Sequence, residues 1–208
     1  MIDHFYPIAY LGGSGGSFLA SWLNNAAYGY PIILNQKNGN AHLSSIYAGF
    51  GIFSDQVSAV ESLREKFTDE PHKMFIGCHI INDSLLLENF AKVTKIRYDQ
   101  DDVLEIAISF CSKTLKPDGN ATPHDILYEM SSTSQFRDNM FAFLPETDRS
   151  TNVSWKDLLH DDPNKLVDHL SVFYSIDATK FDVASLMSWR SLTLRNIDNA
   201  RNKFGDAG

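Results

Sequence analysis

Hydrophobic positions fall into short apolar runs in the first half of the chain and into helical stripes in the second. "PIAYL" at 7–11 is an apolar run ended by glycines, the pattern of a buried strand. After "GGSGGS", Phe18, Leu19, Trp22 and Leu23 recur at helical spacing, so the order is strand, glycine-rich turn, helix. "YPIILNQ" at 30–36 reads equally as a second strand or a packed loop. Residues 54–67 place Val57, Val60, Leu63 and Phe67 on one face behind a Ser54 cap, which predicts an amphipathic helix. A tight alternation follows: strand at 73–80, helix at 82–90, strand at 92–99, helix at 100–115. Beyond 120 the stripes predict helices at 121–140, 163–176 and 182–204, with a last strand at 150–155. Strands alternating with helices predict an α/β fold, a parallel sheet with helices on both faces and a helical C-terminal part. No repeat, low-complexity tract or Pro/Ser-rich linker divides the chain, so a single domain over 1–208 is expected.

Composition narrows the classes of function. A net charge of −8 argues against a broad nucleic-acid surface, which needs clustered Lys and Arg. The two cysteines, Cys78 and Cys111, form no CxxC, so a reduced, cytoplasmic setting is expected and a disulfide scaffold or zinc site is not. No basic leader precedes an apolar segment and no run reaches the length of a membrane span, so no membrane association is expected. The three Asn-x-Ser/Thr sequons, at Asn82, Asn120 and Asn152, then read as chance matches.

The segment of 11–17, with four glycines and two serines, enters a helix. A helix N-terminus offers unpaired N–H groups and the positive end of the macrodipole, so such a loop suits an anion. A tight strand-to-helix turn explains the same residues without a ligand. The Walker A pattern needs Gly-Lys-Ser/Thr, and no lysine precedes Lys37. The dinucleotide fingerprint needs a glycine where Phe18 stands and an acidic residue where Asn35 and Gln36 stand. His79 and Arg97 each end a predicted strand, on the edge where open α/β sheets bind ligands. An anion seat, an imidazole and a guanidinium would thus converge.

In this order the segments resemble the PAPS-dependent sulfotransferase family, whose P-loop-like fold takes a sulfuryl group from 3'-phosphoadenosine 5'-phosphosulfate. "YLGGSGGSFLASWL" is similar to its strand–PKSGTTW–helix loop. "FIGCHI" with "LLLENFAKVTKIRYDQDDVLEIAIS" resembles the stretch from its Thr-His-Leu segment to Arg-Asn-Pro-Lys-Asp and a serine, and "VSWKDLLHDDPNKLVDHLSVFYSI" its late strand, "YEDL" turn and helix. The resemblance covers most of the chain as ordered fragments. It implies a sulfotransferase-like, P-loop NTPase-like fold in which Gly13, Ser14, Gly15, Gly16 and Ser17 hold the 5'-phosphosulfate. It further implies that Phe18 packs on adenine, Arg97 and Ser109 bind the 3'-phosphate, and His79 is the general base. A neutral imidazole suits that last role.

The chain departs from the family in three places. Gly13 stands where the family has its loop lysine, Ser109 lies further beyond Arg97 than the family's spacing, and the late Arg-Lys-Gly segment has no clear match. Lys95 and Arg97 are the cations available to replace the lysine. The expected activity is transfer of a sulfuryl group from PAPS to a hydroxyl or amine of a small molecule or glycan, with no metal. The alternatives are a non-catalytic nucleotide-binding protein of the same fold, a nucleotide-dependent kinase or hydrolase, and a protein-interaction scaffold. Bland readings stand beside each residue: His79 as a structural histidine, Arg97 paired with Asp99 or Asp102, Ser109 as an ordinary helix hydroxyl and Phe18 as core. "HDD" at 160–162 before Pro163 reads as a turn and helix cap, and the three tryptophans as core.

Overall fold

The computed structural model describes residues 3, 5–10, 14–35, 57, 60, 61, 65, 74–78, 82–99, 101–114 and 141–204. Its strands are β1 (Phe5–Ala9), β2 (Met74–Cys78), β3 (Val93–Arg97) and β4 (Ser150–Ser154). They pair in the order β2-β1-β3-β4, every pairing parallel. The helices are α1 (Gly16–Tyr28), α2 (Asp83–Asn89), α3 (Asp102–Thr114), α4 (Trp155–Leu159), α5 (Pro163–Tyr174) and α6 (Val183–Phe204), with a 3-10 turn at Ala178–Lys180. This is the α/β architecture expected from the alternation.

Each face of the sheet carries apolar side chains and is covered by helices or loops. On one face Ile8, Phe75, Ile96 and Val153 pack with Phe18, Leu19, Trp22 and Leu23 of α1 and with side chains of α3, α5 and α6. On the other, Phe5, Ala9, Ile76, Cys78 and Val93 pack with Leu86 of α2 and with Phe90, Val60 and Leu144. Strands buried on both sides read as near-continuous apolar runs, as β1 and β2 do, whereas β3 and β4 bury Thr94, Lys95, Thr151 and Asn152 among their apolar residues.

Several boundaries differ from the sequence-based expectation. β1 starts earlier, because Phe5 packs against Phe90 and Tyr6 against Phe75 and Tyr174. The stretch at 30–35 is a loop with one bridging residue, Leu34; Ile33 is exposed. β4 stops at Ser154, whose side chain caps the short helix α4 by accepting from the Asp157 N–H at 2.9 Å. In the helix expected at 54–67 the described residues 57, 60, 61 and 65 are helical, and the helix expected at 121–140 lies outside the described residues. Asp162 caps α5 ahead of Pro163, as the "HDD" turn implied. On β2, the buried Asn24 side chain of α1 donates to the Phe75 carbonyl at 2.7 Å and accepts from its N–H at 3.0 Å. One amide thus pairs a strand residue as a neighbouring strand would.

Candidate functional site

The chain passes from β1 to β2 on one side and then to β3 on the other side of β1, so the order reverses between β1 and β3. Open parallel sheets bind ligands at the carboxyl ends of the strands at such a switch point. Three features meet there. The glycine loop follows β1, Arg97 ends β3, and the hydroxyls of Ser14 and Tyr98 lie 2.7 Å apart, tying the loop to the residue after β3. Ala9, the last residue of β1, faces Cys78 on one side and Lys95 on the other.

The local chain explains how α1 begins. Gly15, at φ 80°, occupies the helix-capping position in the left-handed region, where a side chain is strained, and no side chain caps the helix. Its neighbours account for the absence of a side chain in another way. A Cβ on Gly15 would lie 2.5 Å from Cζ2 and 2.7 Å from Cη2 of Trp189 in α6, and 3.2 Å from Leu158. A Cβ on Gly16 would clash with the Tyr10 side chain, with Cγ, Cδ1 and Cβ all within 2.7 Å. The loop's backbone is therefore brought close to Trp189 and Tyr10. Ser17, half-buried in the first turn, pairs with the Tyr10 hydroxyl at 2.7 Å.

Phe18 is 1% exposed, with its ring stacked on Trp189 at 4.7 Å and 8°. It is a core residue, its ring covered by Trp189 of α6. Ser109 is also buried, in α3. Gly13 and His79 lie outside the described residues; Cys78, the residue before His79, pairs with Ala9 at the end of β2.

The cations of β3 differ. Lys95 is buried, and its ammonium lies 2.6 Å from the Asp83 carboxylate in the first turn of α2. Burial pushes the ammonium below its ordinary range, while the hydrogen bond and charge of Asp83 pull it back up. Arg97 is 29% exposed, its Nη1 3.8 Å from Asp99 and its guanidinium carbon 4.7 Å from the centre of the Phe143 ring. The other oxygen of Asp99 faces Lys156 at 3.5 Å, and Lys156 lies 3.5 Å from Asp102. So the expected Arg97–Asp99 pairing is present as a long contact, and the Asp102 pairing goes to Lys156 instead.

Sequence reasoning missed Tyr10, Tyr98, Asp83 and Phe143, and it read Trp189 as core without its place against the glycine loop. Tyr10 and Tyr98 carried a signal, since each lies at the carboxyl end of a predicted strand. Trp189 and Phe143 carried none, because only the folding-back of distant segments brings them to this edge. Among the described residues no group of three or more His, Cys, Asp or Glu is placed to hold a metal ion, and no helix is long and apolar enough to cross a membrane.

No protein-family model and no curated protein matches the chain. Among solved structures it is similar to a sulfotransferase domain from the curacin biosynthetic pathway, with 12% identity and a TM-score of 0.46 over 98% of this chain and 97% of that one. A second similar structure is an uncharacterized protein from Eubacterium ventriosum, with 14% identity and a TM-score of 0.31 over 94% and 98% of the two chains. Both likenesses concern the course of the chain and assign no residue a role.

Proposed function

We propose that this protein binds PAPS at the β1/β3 switch point and transfers its sulfuryl group to a hydroxyl or amine of a small molecule or glycan. The observation that carries this reading is the Ser14–Tyr98 hydroxyl contact of 2.7 Å, which joins the glycine loop to the strand end bearing Arg97. Two anion-binding elements then share one edge, as a ligand with separate 5'- and 3'-anionic groups requires. The sequence resemblance supplies the identity of that ligand. In the reaction, His79 takes the acceptor's proton as the acceptor oxygen or nitrogen attacks sulfur. The bond from sulfur to the bridging phosphate oxygen breaks and PAP leaves. The N–H groups at the start of α1 and the Ser17 hydroxyl oppose the charge gathering on that oxygen.

A second reading is nucleotide binding without turnover, which rests on Gly13 standing where the family has its loop lysine; the packing of Trp189 and Tyr10 against Gly15 and Gly16 accounts for those two glycines without any ligand. Calorimetric titration with PAP in the absence of Mg2+, with ATP as control, tests binding. Binding that depends on the 3'-phosphate is expected, and a folded protein that ignores PAP would remove both readings. Transfer of labelled sulfate from PAPS to an acceptor panel separates the two. His79→Ala is expected to abolish transfer and spare PAP binding, whereas unchanged transfer would remove His79 as the base.

A further inference from the structure

Phe143 precedes β4 and is 59% exposed, an aromatic ring the core does not account for. Its place is nonetheless fixed. The next residue, Leu144, is buried, and its N–H and carbonyl both pair with the Asn152 side chain of β4, at 2.9 and 2.7 Å. The Arg97 guanidinium lies over the ring at 4.7 Å. A guanidinium held over an aromatic face has five N–H donors, and the ring's attraction for its charge uses up none of them as conventional hydrogen bonds. Among the described residues the Arg97 guanidinium makes no hydrogen bond: its one carboxylate neighbour, Asp99, is 3.8 Å away and also faces Lys156. Arg97 is thus oriented on one face, with donors left over at the carboxyl edge of β3.

We infer that Phe143 is a positioning residue, holding the Arg97 guanidinium so that its edge meets the 3'-phosphate of the nucleotide and discriminates 3'-phosphorylated from unphosphorylated adenosine 5'-phosphates. This rests on the nucleotide reading above and extends it from which residue binds to what orients that residue. An arginine free to swing must lose side-chain freedom on binding; one already held over a ring has lost part of it beforehand. The benefit therefore falls on the 3'-phosphate alone, and a ligand without that group gains nothing from Phe143.

The test is calorimetric titration with PAP and with adenosine 5'-monophosphate for the full chain and its variants. Wild type is expected to prefer PAP, and Arg97→Ala to erase that preference. Phe143→Ala is expected to reduce it by about threefold, the size of a partly exposed cation–π contact, while leaving monophosphate binding unchanged. Phe143→Tyr, which retains an aromatic face, should restore it. Where Phe143→Ala does not fold, Phe143→Leu removes the π-face and keeps apolar volume. A preference unchanged in Phe143→Ala or Phe143→Leu, or an equal loss for both ligands, overturns the positioning role while the nucleotide reading stands. Failure of the wild-type protein to bind PAP, or to prefer it, overturns both.

Discussion

Replacing Gly15 by alanine tests why a glycine opens α1. Alanine must adopt φ 80°, and its methyl group would sit 2.5 Å from Trp189 Cζ2. The backbone part costs about 1–2 kcal/mol and the overpacking about 1–3 kcal/mol, since the Trp189 ring is itself stacked on Phe18 and edge-on to Trp155. The expected loss is therefore about 2–5 kcal/mol in urea denaturation, or about 2–4 °C in Tm for each kcal/mol in a chain of this size. Trp189→Phe removes the six-membered part of the indole that contains Cζ2 and Cη2. The double variant should recover the overpacking part, so the two changes should be non-additive by about 1 kcal/mol or more. A loss below about 1 kcal/mol, or additivity within about 0.5 kcal/mol, would refute the close-approach explanation. The glycine would then answer to the loop's backbone or its ligand alone.

Two further predictions concern stability. The buried Arg190 guanidinium donates to the main-chain carbonyls of Asp157, Leu158 and Asp161, at 2.8, 2.9 and 2.5 Å, closing the C-terminus of α4. Arg190→Ala should cost about 3 kcal/mol or more in urea denaturation, with Arg190→Lys intermediate because a single ammonium nitrogen cannot stand where Nε, Nη1 and Nη2 each meet their own carbonyl; a loss under about 1 kcal/mol would show those carbonyls satisfied by other means. Glu146 accepts from Thr151 Oγ1 at 2.7 Å and from Asn152 N and Nδ2 at 3.0 and 2.8 Å. Its partial burial pushes the carboxyl up, but these hydrogen bonds and nearby His169 outweigh that and hold it below its ordinary 4.5. Its stabilisation is thus fully present above that value and is lost as pH falls through the lower folded-state one. Wild type and Glu146→Gln should differ in Tm near neutrality and converge in acid; a gap independent of pH would contradict this.

The sequence by itself determined the alternation of elements, the glycine turn into α1, the Asp162 cap of α5 and the burial of the tryptophans. These depend on local rules, the apolar period and the chemistry of caps and turns, that operate within a few residues of chain. It also marked Arg97 and the glycine loop, because a parallel sheet sends every strand's carboxyl end to one edge. What lies against those residues was decided only in the tertiary structure. Trp189 is far from Gly15 in the chain, and no local pattern says that its ring fills the space a Cβ would need or that it covers Phe18. Phe143 reads as one more apolar residue until Asn152 pins its neighbour and Arg97 lies upon it. Lys95 and Asp83 meet because α2 folds back from β2 across the sheet. Short-range periodicity encodes which face of an element is apolar. Which side chains then touch is set by close packing among segments far apart in sequence, and one chain's pattern does not record it.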